Sequence, residues 1–322
     1  MNPLRKLVHR TMELSGLDRK IDPNAINRRL EMRAARHFPI SSAADANSWI
    51  LEVIRAGKPA ALGKLGSSEC WTLAWHLQLK RFYKYTWAAP AFGELDLAEQ
   101  SGVFPNDEQT FRRFCEIYLE RLRVFDGLAV WHNAGESGIL SRYCPHARRF
   151  HIQALEPYFF SPPWSSALTG KRVLVVHPFE KSIKQQFDRR SQLWPAQSGI
   201  LPDFELEFVK SPYGFSKTNF ADWPEMNRWL ESQVEACFRK KPFDVALIGC
   251  GAAGVPLAGF VKQLGAVGIH TGGPTQLLFG IRGRRWDRMP NFQQFLNAAW
   301  IRPTDEETPG EARKVDSGGG YW

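Results

Sequence analysis

Two short apolar runs constrain the fold of this chain more than any other feature of its sequence. Arg172–His177 is RVLVVH and Phe243–Gly249 is FDVALIG, and both runs are short for helices and contain β-branched residues. Such runs are typical of strands that are buried on both faces of a parallel sheet. A segment with helical periodicity follows each of them, Glu180–Arg190 after the first and Val255–Leu264 after the second. This alternation predicts an α/β fold with a Rossmann-like, doubly wound and mostly parallel sheet.

Other segments extend this pattern into a single large domain. Five more short runs are predicted as strands: Ala60–Leu65, Gly127–His132, Phe150–Leu155, Phe204–Val209 and Ala266–Ile269. Four more segments are predicted as helices: Ser41–Ala56, Ser67–Leu79, Glu108–Arg123 and Trp223–Arg239. The chain is therefore divided into a basic helical N-terminal extension (1–40), a Rossmann-like domain (41–288) with a helical or irregular excursion at 80–125, and a C-terminal helix and tail that pack on the domain (289–322).

The charge of the chain favours an anionic partner. Its 42 Lys and Arg outnumber its 33 Asp and Glu, and residues 1–40 hold nine of the former against four of the latter. Such an excess suits nucleic acid, a membrane surface or a phosphorylated small molecule. Residues 4–17 have an apolar stripe that predicts a basic amphipathic helix, so peripheral membrane contact through residues 1–20 is one hypothesis. Docking of this helix on the chain's own domain is the alternative.

The sequence predicts neither a membrane span nor a secretory signal. No uninterrupted apolar window approaches the roughly 18 residues that a spanning helix needs. The first residues lack the apolar stretch and small-residue cleavage site of a signal peptide. The five cysteines stand far apart without a CxxC pair, which favours reduced thiols. We therefore expect a cytoplasmic protein, with association to a membrane through its N-terminus as a further hypothesis.

A glycine-rich turn follows the strand predicted at 243–249. Gly249, Gly251 and Gly254 form a GxGxxG pattern between this strand and the next helix, where backbone N–H groups approach a phosphate. A dinucleotide site also needs an acidic residue at the end of the following strand to hold the ribose, and His270 stands there instead. The pattern therefore predicts a phosphate or nucleotide-sugar site and argues against NAD and S-adenosylmethionine. Close packing of strand on helix is the alternative role of these glycines.

A second anion-binding turn is predicted directly after that histidine. Residues 270–276 are HTGGPTQ, in which a Gly-Gly turn, Thr hydroxyls and a helix starting at Pro274 favour an anion. Arginines of the following segment suit a diphosphate, because a guanidinium group grips phosphate oxygens in a bidentate manner. A solvated basic face is the alternative. The residues predicted to bind the diphosphate-containing ligand here are His270, Thr271, Gly272, Gly273, Gln276, Arg282 and Arg285.

The third cluster lies at the turn after the strand predicted at 60–65. Lys64, Gly66 and Glu69 bring a cation, a turn glycine and a carboxylate to the carboxyl end of this strand, where ligands bind in open α/β sheets. Glu69 has two candidate roles, as a capping carboxylate of its own helix or as a catalytic group. His177 ends another predicted strand and is expected to face the same crevice as a second catalytic residue.

The turn KLGSSE at Lys64–Glu69 resembles the RFGDGE-like motif of the GT-D fold glycosyltransferases and of their relatives in bacterial surface-polysaccharide loci. The resemblance covers residues 45–322 in patches, and its most specific part is HTGGPTQLLFGIRGRRW at 270–286. Its other parts are Leu155–Tyr158, Trp164, Leu168–Phe179, Ile248–Gly254 and Tyr321–Trp322. It implies a GT-D-like version of the Rossmann-like fold and transfer of a sugar from a nucleoside diphosphate.

In active members of that family, the Asp-x-Glu of the motif binds a divalent metal, Mn²⁺ or Mg²⁺, and the diphosphate of the donor. The motif's Arg falls on Lys64, its Asp on Ser67 and its Glu on Glu69, which the resemblance makes the metal ligand. We expect Lys64, Gly66 and Ser67 to contact the donor. A neutral hydroxyl is a poor ligand for a divalent cation, so Ser67 leaves metal dependence open. Without metal, Lys64 or the arginines would offset the charge of the leaving group, and Glu69 would be the general base.

Two functions follow from these observations. The first is a glycosyltransferase that moves a sugar from a nucleoside diphosphate to a glycan or lipid-linked acceptor in surface-polysaccharide biosynthesis. The second is a catalytically inactive module that binds a nucleotide-sugar or a glycan, which the serine in place of the motif's Asp favours. Specific nucleic-acid binding is not expected, because no helix-turn-helix or RNP-like pattern accompanies the charge. For either function, residues 60–69 and 243–254 are expected to be adjacent βα units whose turns open on one crevice.

Overall fold

The computed structural model describes residues 28–322 except 30, 34, 80–81, 84–85, 88–90, 198 and 215–218. Its strands, in chain order, are β1 Ile40–Ser41, β2 Ala60–Lys64, β3 Phe82–Tyr83, β4 Thr86–Trp87, β5 Gly127–Val130, β6 Arg148–His151, β7 Arg172–His177, β8 Glu205–Lys210, β9 Val245–Ile248 and β10 Val267–His270. Eight of them form one parallel sheet in the order β1-β6-β5-β2-β10-β9-β7-β8. The short pair β3 and β4 forms a separate antiparallel hairpin.

Helices cover both faces of the sheet. Their bounds are α1 Ala43–Ala56, α2 Ser67–His76, α3 Leu97–Ser101, α4 Glu108–Leu122, α5 Glu136–Tyr143, α6 Glu180–Asp188, α7 Trp223–Lys240, α8 Gly254–Leu264, α9 Pro274–Leu278, α10 Arg284–Asp287, α11 Pro290–Gln293 and α12 Asp316–Gly319. One core joins Ala61 and Ala246 of the strands to α2, α4, α7 and α8. The other joins Leu62 and Leu247 to α1, α6 and the C-terminal segments. Neighbouring strand residues therefore enter opposite cores, which explains why the strands lack polar alternation.

The strand order opens a crevice in the middle of the sheet. From β2 the chain continues outward through β5 and β6 on one side, whereas β7 to β10 fill the other side. β2 and β10 are therefore neighbours, although about two hundred residues of chain separate them. Because all the strands are parallel, their carboxyl ends share one edge, and the order of the chain reverses between β2 and β10. Ligands of open α/β sheets bind at such a reversal.

The predicted doubly wound, mostly parallel α/β sheet is confirmed. One expectation about its order is wrong: β10 lies between β2 and β9, so the turns that follow β2 and β9 are not adjacent. The strand predicted at Phe150–Leu155 is shifted along the chain: β6 covers Arg148–His151, and its partner β5 ends at Val130. From Ile152 to Leu155 the chain forms a 3-10 turn instead.

The structure describes the C-terminal end of the chain but not its first 27 residues. Residues 1–27, including the predicted amphipathic helix and its membrane contact through residues 1–20, lie outside the described residues, and the described part of 28–35 is helical. The predicted C-terminal helix is a series of short pieces, α11, α12 and 3-10 turns, which pack on the domain. Among the helices of the described ranges, none has the length and apolar character to cross a bilayer.

Candidate functional site

A cavity of about 320 Å³ lies at the carboxyl edge of the sheet. It is lined by the turns after β2, β7, β8, β9 and β10, by the excursion after α2 and by the C-terminal segment. Most predicted site residues are in its lining: Lys64, Gly66, Ser67, Glu69, His177, Gly249, Gly251, His270, Gly272, Gly273, Gln276 and Arg285. The predicted site residues outside the lining are Gly254, Thr271 and Arg282. The motifs identified in the sequence therefore converge on one site.

Lys64 brings a cation into this cavity. It ends β2, its side chain is half-buried, and its Nζ lies 5.2 Å from the centroid of the Trp131 ring. Within the described residues, this ammonium group has no hydrogen-bond or ion-pair partner. Burial lowers the pKa of Lys64, Arg285 lowers it further, and the Glu69 carboxylate opposes the shift. An anion entering the cavity would supply the partner that this partly dehydrated cation lacks.

Helix α2 begins at the wall of the same cavity, with Gly66 as its N-cap. Gly66 has no side chain, so the N–H groups of the first turn receive no side-chain cap from it. Glu69, in that turn, is 7% exposed, and its carboxylate has no hydrogen-bond partner among the residues described. Its Oε2 lies so close to Gly66 that a Cβ there would be only 1.8 Å away. The predicted capping role of Glu69 is therefore absent from this geometry, and its carboxylate is available to a ligand.

His177 is a neutral hydrogen-bond donor. Its Nδ1 accepts the backbone N–H of Phe179 at 3.1 Å, so the ring proton is on Nε2. Burial lowers the pKa of His177 to about 3, which keeps the ring uncharged at neutral pH. A protonated Nε2 cannot accept a proton, so the predicted catalytic role is limited to donating a hydrogen bond.

His270 has the opposite arrangement of its ring nitrogens. Its Nδ1 donates to the carbonyl oxygen of Ile248 at 3.2 Å, which leaves Nε2 as an acceptor. Burial lowers the pKa of His270 to about 3, and the charge of Lys64 acts in the same direction. Gly254 makes room for this ring, because a Cβ on Gly254 would lie 2.0 Å from Nδ1. The third glycine of the GxGxxG pattern therefore serves packing against His270.

Two other glycines of these turns have backbone conformations that L-residues rarely adopt. Gly251 and Gly272 line the cavity with φ angles of +59° and +71°. The N–H groups of Thr271 and Gly272 both donate to the carbonyl oxygen of Ile248. These two N–H groups are therefore occupied, and the predicted phosphate cradle at 270–276 offers fewer free donors than expected. The uncapped first turn of α2 is the better donor set for an anion.

Thr271 and Arg282, two residues predicted to contact the donor, lie outside the cavity lining. The Thr271 hydroxyl lies 2.5 Å from the Thr275 hydroxyl, and both side chains are buried. Arg282 donates its backbone N–H to the carbonyl oxygen of Ile301, beside the bridge that links this segment to the C-terminal part. Of the arginines at 282, 284 and 285, Arg285 is the one that lines the cavity. Neither residue type nor spacing in the sequence distinguishes it from the other two.

The C-terminal segment forms part of the cavity wall. Gln276 donates a side-chain N–H to the carbonyl oxygen of Tyr321 at 3.0 Å, and the Arg285 guanidinium lies 4.9 Å from the centroid of the Tyr321 ring. A Cβ on Gly273 would lie 2.9 Å from an atom of that ring. Gly273 therefore permits the close approach of Tyr321, and the segment 270–276 holds the C-terminal segment in place.

A loop after β5, which sequence reasoning missed, supports the turn before α2. Trp131 and Asn133 donate side-chain N–H groups to the carbonyl oxygen of Leu65, and Asn133 Oδ1 accepts the Ser67 hydroxyl at 2.8 Å. Glu136 holds this loop, since its Oε2 accepts three consecutive backbone N–H groups of the loop. Burial raises the pKa of Glu136 to about 8 although these three N–H groups favour the ionised form. The sequence signal that could have identified this loop is its position at the end of the strand predicted at Gly127–His132.

The excursion after α2 closes one side of the cavity. The hydroxyl oxygens of Ser68 and Ser101 lie 2.9 Å apart, and the Ser101 carbonyl oxygen would be 3.2 Å from a Cβ on Gly251. Gly102 and Gly214 approach so closely that a Cβ on Gly214 would lie 1.8 Å from the Gly102 carbonyl oxygen. These glycines allow direct backbone contact between the excursion and the loop after β8.

The wall beside β7 and β8 was also not predicted. Ser211, Tyr213 and Trp322 line it. The Tyr213 hydroxyl and the Trp322 indole N–H both donate to the backbone carbonyl oxygen of Glu307. Tyr213 and Glu307 stand 94 positions apart in the chain, so no local spacing marks this wall in the sequence.

The residues at the predicted metal position do not fit a divalent cation well. Glu69 contributes a carboxylate, but the Ser67 hydroxyl donates to Asn133 and the ammonium group of Lys64 lies nearby. Among the described parts of the chain, no three His, Cys, Asp or Glu side chains are grouped to hold a metal ion. The positive groups that the described lining supplies are Lys64, Arg285 and the N–H groups at the start of α2.

No family model matches the chain, and no match is found among curated proteins or solved structures. Function is therefore inferred from the cavity.

Proposed function

We propose that this chain is a glycosyltransferase that takes a sugar from a nucleoside diphosphate donor and transfers it to a glycan or lipid-linked acceptor in surface-polysaccharide biosynthesis. One observation carries the proposal: the ammonium group of Lys64, which has no hydrogen-bond or ion-pair partner among the described residues, and the uncapped start of α2 line the same cavity. Both favour negative charge, which develops on the diphosphate as the sugar departs. The resemblance of 64–69 and 270–286 to GT-D glycosyltransferases supports the sugar-transfer part of the proposal.

The charged residues divide the chemistry between them. The bond between the anomeric carbon and the diphosphate oxygen breaks, and Lys64 and Arg285 offset the charge on the leaving diphosphate. The acceptor hydroxyl forms the new bond to the anomeric carbon and loses its proton to Glu69. The Glu69 carboxylate suits this role because it lines the cavity and accepts no hydrogen bond from any described residue. Metal is expected to stimulate this reaction only weakly, since Ser67 replaces an acidic ligand.

Isothermal titration with UDP, GDP and CDP tests the anion-binding part. Replacing Lys64 by methionine removes the charge but keeps the length of the chain, and we expect at least a roughly 10-fold loss of diphosphate affinity. Lys58→Met is the matched control, because Lys58 is exposed and precedes the amino end of the same strand. Absence of diphosphate binding to the unmodified protein would refute the proposal.

Assays of sugar transfer and of donor hydrolysis test the catalytic part. With a donor found in the binding screen, Glu69→Gln is expected to reduce turnover by roughly 10²–10⁴-fold and to leave donor affinity nearly unchanged. Glu99→Gln is a suitable control, because Glu99 is an exposed residue of α3 outside the cavity lining. Equal turnover of the Glu69 variant and the unmodified protein would exclude Glu69 as the base.

The second candidate function is a catalytically inactive module that binds a nucleotide-sugar or a glycan. The observation in its favour is Ser67, which stands where the resembling family has Asp and which donates to Asn133. Tight donor binding without transfer or hydrolysis, over a panel of glycan and lipid-linked acceptors, would select this function. For either function we propose a cytoplasmic location, with membrane association through residues 1–20. Binding of the full chain, but not of a chain lacking residues 1–20, to anionic vesicles would test this association.

A further inference from the structure

The two ends of the cavity differ in charge. Its charged side chains among the described lining residues are Lys64, Glu69, Asp96 and Arg285. The part beside β7 and β8, here called the β7 end, is lined by uncharged residues, among them His177, Phe179, Ser211, Tyr213 and Trp322. Three strand spacings of about 4.8 Å separate β2 from β7, so the β7 end lies roughly 14 Å from the strand that carries Lys64.

The β7 end offers hydrogen-bonding groups that are not charged. His177 is neutral, and its Nε2–H has no acceptor among the residues that the structure describes. Within the described residues, the buried hydroxyl of Ser211 has no hydrogen-bond partner, and the residue is only 2% exposed. Leaving a buried polar group unpaired is unfavourable, and native proteins rarely do so without a reason. An occupant of this end would supply the missing partners.

The aromatic residues of this end present ring surfaces. The polar atoms of Tyr213 and Trp322 are both bonded to the carbonyl oxygen of Glu307. Phe179 completes the group, with its ring centroid 5.9 Å from that of Trp322. A ligand here therefore meets apolar ring faces together with two neutral polar groups, which is the usual composition of a site for a small uncharged molecule.

We propose that the β7 end is a subsite for an uncharged ring that carries hydroxyl groups, the sugar, and that His177 and Ser211 determine which sugar is accepted. A sugar hydroxyl both donates and accepts, so it can receive the N–H of His177 and pair with the hydroxyl of Ser211. None of the described residues named for this end carries a charge, which favours an uncharged ligand over an anionic one. This inference rests on the proposed function, because it gives the transferred sugar a place beside the diphosphate.

Ligand-observed NMR with free sugars tests the subsite separately from diphosphate binding. The probes are the methyl glycosides of glucose, galactose, mannose and N-acetylglucosamine, and, in parallel, UDP, GDP and CDP. We expect at least one glycoside to bind the unmodified protein and Ser211→Ala to weaken it roughly 3- to 10-fold. The same variant should leave diphosphate affinity unchanged. Ser165→Ala is the matched control, since Ser165 is fully buried outside the cavity lining.

The outcomes separate the two proposals. If no glycoside binds the unmodified protein, or if Ser211→Ala weakens diphosphates as much as glycosides, the sugar subsite is refuted, and the latter result would place the nucleoside at this end. If a glycoside binds in a Ser211-dependent manner but no diphosphate binds, the subsite stands and the proposed transferase function fails.

Discussion

Replacing Gly66 by alanine is expected to displace the Glu69 carboxylate while the fold is retained. A Cβ at Gly66 would lie 1.8 Å from Glu69 Oε2, and ordinary contact begins at 3.4 Å, so this oxygen must move by about 1.6 Å. The atom that must move is the end of a flexible side chain. The backbone at Gly66, with φ −74° and ψ 164°, is in the extended region that alanine also adopts. The substitution therefore moves a carboxylate without removing it.

The magnitudes for Gly66→Ala follow from the same geometry. Alanine is a poorer N-cap than glycine but reduces the entropy of the unfolded chain by about 0.4–1 kcal/mol, so the free energy of unfolding should change by less than about 1 kcal/mol. A misplacement of about 1 Å in a catalytic group costs roughly 10²-fold in rate. We therefore expect turnover to fall at least about 10²-fold, close to the Glu69→Gln value.

Three measurements on three proteins decide this prediction. Turnover, diphosphate affinity and urea unfolding are compared for the unmodified protein, Gly66→Ala and Gly310→Ala. Gly310 is the matched control, because a Cβ there would meet no atom within 4 Å. Full turnover of Gly66→Ala would refute the reasoning that the position of the Glu69 carboxylate matters. A loss of more than about 2 kcal/mol in unfolding free energy would show that the carboxylate cannot move as freely as the geometry implies.

Three further predictions concern buried groups around the cavity. His177 and His270 should remain neutral in the folded protein as pH falls from 8 to 5, because burial lowers both pKa values to about 3; ring C–H resonances that titrate near pH 6.5 would contradict this. Burial raises the pKa of Glu136 to about 8, so the carboxyl group of the unfolded chain ionises at lower pH than that of the folded protein. Glu136→Gln should therefore gain stability relative to the unmodified protein as pH rises from 5 to 8, by up to about 1.4 kcal/mol per pH unit. A stability difference in urea unfolding that does not vary with pH would refute this prediction. Gly254→Ala should destabilise the protein by about 1–3 kcal/mol, because the added Cβ overlaps the His270 ring, and unchanged urea unfolding would show that the ring can move aside.

Much of the fold could be predicted from the sequence because its signals are local. The length of a run such as RVLVVH, its β-branched residues and the periodic segment after it depend on neighbouring residues alone, and β7 has exactly the predicted bounds. Parallel strands also place their carboxyl ends at one edge whatever their order. Lys64, Glu69 and His270 were therefore expected at one edge from their positions at strand ends, and they line one cavity.

The tertiary structure decided which groups at that edge remain available. The sequence does not show that the Ser67 hydroxyl donates to Asn133 or that the His270 ring occupies the space left by Gly254. It also does not show that Tyr213 and Trp322 both donate hydrogen bonds to the backbone carbonyl oxygen of Glu307. Nor does it show that the buried hydroxyl of Ser211 has no partner in the part of the chain that the structure describes. The physical reason is that a hydrogen bond needs both groups at a fixed distance and angle, and here the two groups come from segments far apart in the chain. Residue type and spacing determine what a side chain is able to do, whereas its distant neighbours determine whether it is still free to do it.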